Sequence, residues 1–122
     1  MPQKTDQKTS IQQLKDKIEQ FVSERDWQQF HTAKNLSMDI AAEAAELMEF
    51  FLWLDGEASN KEMNSNRDEI EQEVADIFFG ILALCNRFNI DLSSVLERKI
   101  EITGQRYPVE KAKGRHTKYT KL

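Results

Sequence analysis

Met38–Leu54 reads MDIAAEAAELMEFFLWL, an apolar run punctuated by Asp39, Glu43, Glu46 and Glu49 with no Lys or Arg among them. Ser37 is a candidate N-cap and Asp55-Gly56 a stop signal, so a helix is predicted to end near Leu54. On a wheel of about 100° per residue, Asp39, Glu46 and Glu49 fall in one stripe with Glu43. Leu47 and Phe50 flank that stripe, while Ala41, Ala45, Met48 and Leu52 cover the other side. The helix therefore has no ordinary solvated face. Carboxylates placed among apolar side chains repel one another and resist desolvation unless a cation compensates them. A bound divalent metal is the expected compensation.

Working outward, Ser10 can cap a first helix whose Ile11, Leu14, Ile18, Phe21 and Val22 recur on one face. Residues 24–36 break that period and are predicted to form a turn or loop. Residues 55–66 are polar and are predicted to be a connector. Asn66 with Glu69 resembles a capping box and opens a helix running to about Phe88. Asp91 or Ser93 caps another through Leu92, Val95, Leu96 and Ile100, ending near Gly104, and Pro108 prevents easy continuation. Four helices with short connections predict an all-α protein with a four-helix-bundle-like core. A domain this small cannot easily bury two nearly all-apolar helices alone, so homo-oligomerisation is expected to complete the core. The expected organisation is a flexible N-terminus at 1–9, one domain at 10–106 and a basic tail at 107–122.

Glu43 and Glu46 are three positions apart and share a helix face; Glu73 and Asp76 repeat that spacing on the next long helix. If the two helices pack antiparallel, four carboxylates converge. Hard oxygen ligands without a nearby Cys suit magnesium, with manganese as the alternative. A di-iron bundle would add Glu-x-x-His pairs, and neither His31 nor His116 has an acid three positions earlier. The competing reading is a non-enzymatic interaction module whose acids form a solvated stripe on an oligomerising surface. Gly80 lies one turn beyond Asp76, where a missing side chain leaves room either for a ligand or for close helix packing. Lys99 and Arg106 are candidate phosphate contacts. Trp27, Phe30, His31 and Trp53 are candidates for a surface on which a base stacks.

Composition narrows the partners. The 122 residues carry a net charge of −4, with 31% charged positions and only four Gly and two Pro. Residues 106–122 hold six bases against one acid, leaving the rest strongly acidic. An acidic body does not suit a nucleic-acid polymer. The longest apolar run is interrupted by acids, so no membrane span is expected. With a single Cys85 and no signal-peptide pattern, a cytoplasmic location is the expectation.

RDWQQFHTAKNL at 25–36, AEAAELMEFFLW at 42–53, EVAD at 73–76 and Arg106-Tyr107-Pro108 together resemble the MazG-like nucleotide pyrophosphohydrolases. The nearest branch is that of the dCTP pyrophosphatases of the all-α NTP pyrophosphatase superfamily. The resemblance implies a homo-oligomer, a dimer or dimer of dimers, that cleaves a nucleoside triphosphate to its monophosphate and pyrophosphate. It implies magnesium held by Glu43, Glu46, Glu73 and Asp76; among the neighbouring acids, Glu49 is the candidate general base. It also implies a nucleoside pocket using Trp27, Gln28, His31 and Trp53, with Asp76, Lys99 and Arg106 near the phosphates. The chain departs from the family pattern at Thr103, where members often carry Asn. It departs from vertebrate relatives at Ile18, where they have His, and at Gly80, where they have an aromatic residue. These changes bear on base selectivity and leave the metal motif untouched.

Overall fold

The computed structural model describes residues 4–122, all helix and connection with no strand among them. In order come α1 (Ile11–Glu24), a 3-10 turn (Gln28–Phe30), α2 (Ala33–Glu49), α3 (Gly56–Ser65), α4 (Arg67–Phe88), α5 (Leu92–Arg106), α6 (Val109–Ala112) and a second 3-10 turn (Tyr119–Lys121). The chain divides into two compact units, one ending at Asn89 and one spanning Ile90–Leu122. In the first, α4 is the central helix and packs against α1, α2 and α3.

Ser10 starts α1 as expected. Its hydroxyl accepts from the Gln13 N–H at 3.0 Å, and the Gln13 side chain accepts from the Ser10 N–H at 2.8 Å. This reciprocal capping satisfies two otherwise orphaned donors. Asp26 then reverses the chain with φ 53°, and the Trp27 N–H returns to the Val22 carbonyl at 3.1 Å. Residues 1–3 of the expected flexible N-terminus lie outside the described residues. In the remainder of that segment, a turn closes through the Lys8 N–H and the Thr5 carbonyl at 2.9 Å.

Several boundaries differ from the sequence expectation. Helix α2 starts at Ala33, capped by Thr32 through the Asn35 N–H at 3.1 Å. Ser37 lies inside it and donates to the Lys34 carbonyl at 2.9 Å. The helix ends at Glu49 rather than near Leu54, and Phe50 to Leu54 continue in tighter i to i+3 turns. The polar stretch after it is not a bare connector. Asp55 accepts from the Ala58 N–H at 2.8 Å and starts α3. Asn66 opens α4 without a side-chain cap, and its amide N–H donates back to the Glu62 carboxylate of α3. Asp91, not Ser93, caps α5 through the Ser94 N–H at 3.1 Å, and α5 runs past Gly104 to Arg106.

The buried apolar side chains are Val22, Leu36, Ile70, Leu82, Ala83 and Cys85. Ile70 and Leu82 are the largest that are fully enclosed, each stabilising the fold by about 1.5–3 kcal/mol. Gly80 sits where α4 meets α2: a Cβ there would lie 2.9 Å from Ile40 Cγ1. Of its two readings, close packing is the one observed. Met38 and Met48 on α2, and Leu52 in the turns that follow it, remain exposed. A groove of about 840 Å³ runs beside Ile11, Leu14, Leu47, Val74, Phe78 and Ile81. No helix among the described residues is long and apolar enough to cross a membrane.

Candidate metal centre

The Gly80–Ile40 contact lets α2 and α4 approach closely, and the acids lie nearby on the same faces. Glu43 from α2 meets Glu73 and Asp76 from α4, with one oxygen of each within 4.8 Å of the others. One oxygen of Glu43 (Oε2) and one of Glu73 (Oε2) are buried without a hydrogen-bond partner. A buried, unpaired carboxylate oxygen costs the full desolvation of that atom. None of the ion pairs among the described residues reaches the cluster: they join Arg25 to Glu24, Lys61 to Glu57 and Arg67 to Glu71.

The electrostatics follow. Desolvation, then the charges of Glu46, Asp76 and Asp39, push the Glu43 carboxyl up to about 7. Glu73 is raised as well, chiefly by burial and by the adjacent Glu46 carboxyl, while its contact with Glu43 acts in the opposite direction. Like charges so placed are held apart only at a cost, unless a cation sits among them. The donor set is all carboxylate oxygen, with no thiol or imidazole, which fits a hard divalent cation. Glu46 is the fourth acid of the group by its effect on both neighbours. With Glu49, Phe50 and Glu73 it lines an open pocket of about 400 Å³. Asp39 lies toward Gly80 and acts on Glu43 through its charge, whereas Glu69 belongs to a polar pocket where α3 meets α4.

The remaining expected residues lie apart from the acids or outside this unit. Gln28 and His31 line a second pocket of about 430 Å³, together with Ile18, Ala83, Asn86 and Arg87. Trp27 rests edge-on against Phe21, with ring centroids 5.7 Å apart. Trp53 follows α2 with φ 67° and is 98% exposed. In the second unit, Lys99 lines a groove with Leu96, Ile100, Thr103, Gly104 and Tyr107, and the Arg106 guanidinium lies 4.8 Å from the Tyr119 ring centroid.

Sequence reasoning missed Asn86 and Arg87. The Asn86 amide donates to the Lys15 carbonyl of α1 at 2.8 Å, tying α4 to α1 beside the second pocket. The available signal was a polar residue at the end of the apolar run ILALCN, at a helix position otherwise facing the core.

A family model described as the MazG-like family matches residues 38–122, which include all four clustered acids. The chain belongs to the MazG-like family. It is also similar to dCTP pyrophosphatase 1 of Bos taurus and of Homo sapiens, 35% identical to each over 105 residues. That match covers 84% of this chain and 62% of each of those curated relatives, so the chain spans less than two thirds of their length. Among solved structures, a pyrophosphatase from Archaeoglobus fulgidus aligns with a TM-score of 0.78 and 29% identity. The alignment covers 88% of this MazG-like chain and 98% of the archaeal one. The helical frame that carries the acids is thus shared with a pyrophosphatase.

Proposed function

We propose that this MazG-like protein is a magnesium-dependent nucleoside triphosphate pyrophosphohydrolase. It converts a (d)NTP to its monophosphate and pyrophosphate, favours dCTP or a related deoxynucleotide, and serves to clean the nucleotide pool in the cytoplasm. The observation that carries this reading is the meeting of Glu43, Glu73 and Asp76 around buried, unpartnered carboxylate oxygens. A solvated acidic stripe on an interaction module would not bury such atoms without a partner.

Glu43, Glu46, Glu73 and Asp76 hold magnesium, or manganese in its place. When bound, the metal supplies neutralisation of phosphate charge and a more acidic water. The chain's own residues do the rest. Water attacks the α-phosphorus, the bond to the bridging oxygen breaks, and pyrophosphate leaves. Glu49, on the wall of the pocket shared with Glu46 and Glu73, accepts the proton of the attacking water. Lys99 and Arg106 bind the triphosphate oxygens. Trp27 and Trp53 grip the base by stacking, and Gln28 and His31 hydrogen-bond to the nucleoside from their shared pocket. Residues 10–106 form the catalytic domain, flanked by the N-terminal segment and the basic tail. A homo-oligomer, a dimer or a dimer of dimers, covers the exposed Met38, Met48 and Leu52 and the apolar groove beside Val74.

The test is a magnesium-dependent pyrophosphate-release screen across canonical and modified NTPs and dNTPs. dCTP or a close relative is expected near the top. Glu43→Gln and Asp76→Asn should each lose most turnover while keeping the fold, and wild-type rates in both would sink the mechanism. Equal, weak turnover of every nucleotide would remove the proposed base preference.

A further inference from the structure

We infer that Tyr119 is a positioning residue, whose ring holds the Arg106 guanidinium as a preformed donor for the triphosphate chain. This rests on the proposed role of Arg106 in binding that chain. Arg106 is the last residue of α5, and its guanidinium carbon lies 4.8 Å from the centroid of the Tyr119 ring. Arg25 and Arg67 each reach a carboxylate, at 3.8 Å from Glu24 and 3.4 Å from Glu71, whereas Arg87, like Arg106, lies over an aromatic ring, 5.5 Å from the Phe88 centroid. Arg106 has no carboxylate within ion-pair distance among the described residues. The distinction matters chemically. A salt bridge uses the guanidinium's in-plane N–H groups, whereas stacking on a ring orients the plane and leaves those N–H groups free for an external anion.

The ring is itself held. Tyr107 meets Tyr119 edge-on, with centroids 5.8 Å apart and planes at 78°. Tyr107 is half-buried, and its N–H closes α5 on the Thr103 carbonyl at 2.9 Å. Tyr119 opens a 3-10 turn in which the Lys121 N–H returns to the Lys118 carbonyl at 2.8 Å. Arg106 and Tyr107 are thus joined to a segment that begins twelve residues after Tyr107, across Pro108, α6 and Gly114. Lys118 and Lys121 flank Tyr119 in sequence, so the turn that supplies the ring is also basic. The end of the basic tail therefore acts on the triphosphate through Arg106, as a clamp that removes rotamer freedom before the ligand arrives.

Calorimetric titration of the full chain with magnesium and the non-hydrolysable α,β-imido analogue of dCTP, compared with dCMP, tests this. Tyr119→Leu keeps an apolar body but loses the π face. It should weaken the triphosphate analogue about five-fold, in line with an exposed cation–π contact, and leave dCMP affinity unchanged. Tyr119→Phe should restore wild-type binding. In an Arg106→Ala background, Tyr119→Leu should have no further effect on the triphosphate. A purely structural role predicts the opposite, namely equal losses for both ligands or a loss that persists without Arg106, and either result overturns the assignment. Arg106→Lys keeps the charge and Tyr119 but removes the planar stack, so it carries the test when Tyr119→Leu does not fold. The same selective loss is expected, and full triphosphate affinity in Arg106→Lys overturns the role. Wild-type protein that binds the analogue alongside an unaltered Tyr119→Leu overturns the positioning role alone. Wild-type protein that binds no triphosphate overturns the parent reading and this one with it.

Discussion

Glu43 on α2 and Glu73 on α4 each hold a buried carboxylate oxygen with no hydrogen-bond partner, and one oxygen of each residue lies within 4.8 Å of the other and of Asp76. Two elements of the fold bring them together: the three-residue spacing of acids along each helix, and the small Gly80 that allows the helices to approach. Burial and like charge make the arrangement unfavourable while both carboxyls are ionised.

The pH dependence of the metal-free protein is predicted to run opposite to that of most acid-rich folds. The Glu43 carboxyl sits at about 7 in the folded chain against an ordinary value of 4.5. Between those values the folded state binds a proton that the unfolded state has released, so stability falls as pH rises. Melting temperatures measured in chelator should decline from about pH 5 to about pH 8. Glu43→Gln should flatten the decline. Superimposable profiles for the two proteins would contradict the placement of Glu43.

Divalent metal should reverse that trend, because it requires the deprotonated carboxylates that burial disfavours. At a concentration about 100-fold above its dissociation constant, magnesium should stabilise the folded chain by about 2.7 kcal/mol. Scanning calorimetry with magnesium or manganese against chelator measures it. Glu73→Gln and Asp76→Asn should lose most of the effect, and a metal-insensitive wild type would count against the site.

Gly80→Ala should destabilise the protein although it improves helix propensity. The propensity gain is about 1 kcal/mol, while forcing a methyl into a packed contact costs about 1–3 kcal/mol. The added Cβ would meet Ile40 Cγ1 at 2.9 Å, an atom on a β-branched side chain with little freedom to move. In an Ile40→Ala background the sign should invert, with Gly80→Ala now stabilising. Denaturant titration of the four proteins in this cycle decides the matter.

Asp55→Ala should unwind the first turn of α3 and cost about 1 kcal/mol through loss of the cap on the Ala58 N–H. Hydrogen exchange should speed at residues 56–59 and leave α2 and α4 unchanged. Protection that survives the substitution would mean that packing, not the cap, holds α3.

The sequence made the two acid pairs and α1 readable because each depends on spacing along a single helix. Ile11, Leu14, Ile18 and Val22 mark one face, and Ser10 with Gln13 marks the start. Helix α3 escaped because it is polar on nearly every side, so hydrophobic periodicity was silent over GEASNKEMNS. Its Asp55 cap and the acidic Glu57 in its first turn were the signals to weigh. The start of α2 was misplaced for a related reason: Thr32-Ala33-Lys34-Asn35 has no apolar period, and Ser37 offered a rival cap that the helix simply absorbs. The polar Asn86 at the end of ILALCN is visible in sequence, but its partner is not, since Lys15 lies 71 positions away; the Arg106–Tyr119 contact, 13 positions apart, is likewise not legible from spacing along one helix.

The exposed indole of Trp53 makes this protein its own optical reporter. The chain has two tryptophans, one resting against Phe21 and one standing in solvent on a left-handed backbone. Replacing Trp27 by Phe leaves a single emitter whose spectrum should resemble that of indole in water. Any molecule that covers α2's end, a second copy or a nucleotide, should then announce itself as a blue shift or as quenching, without a label.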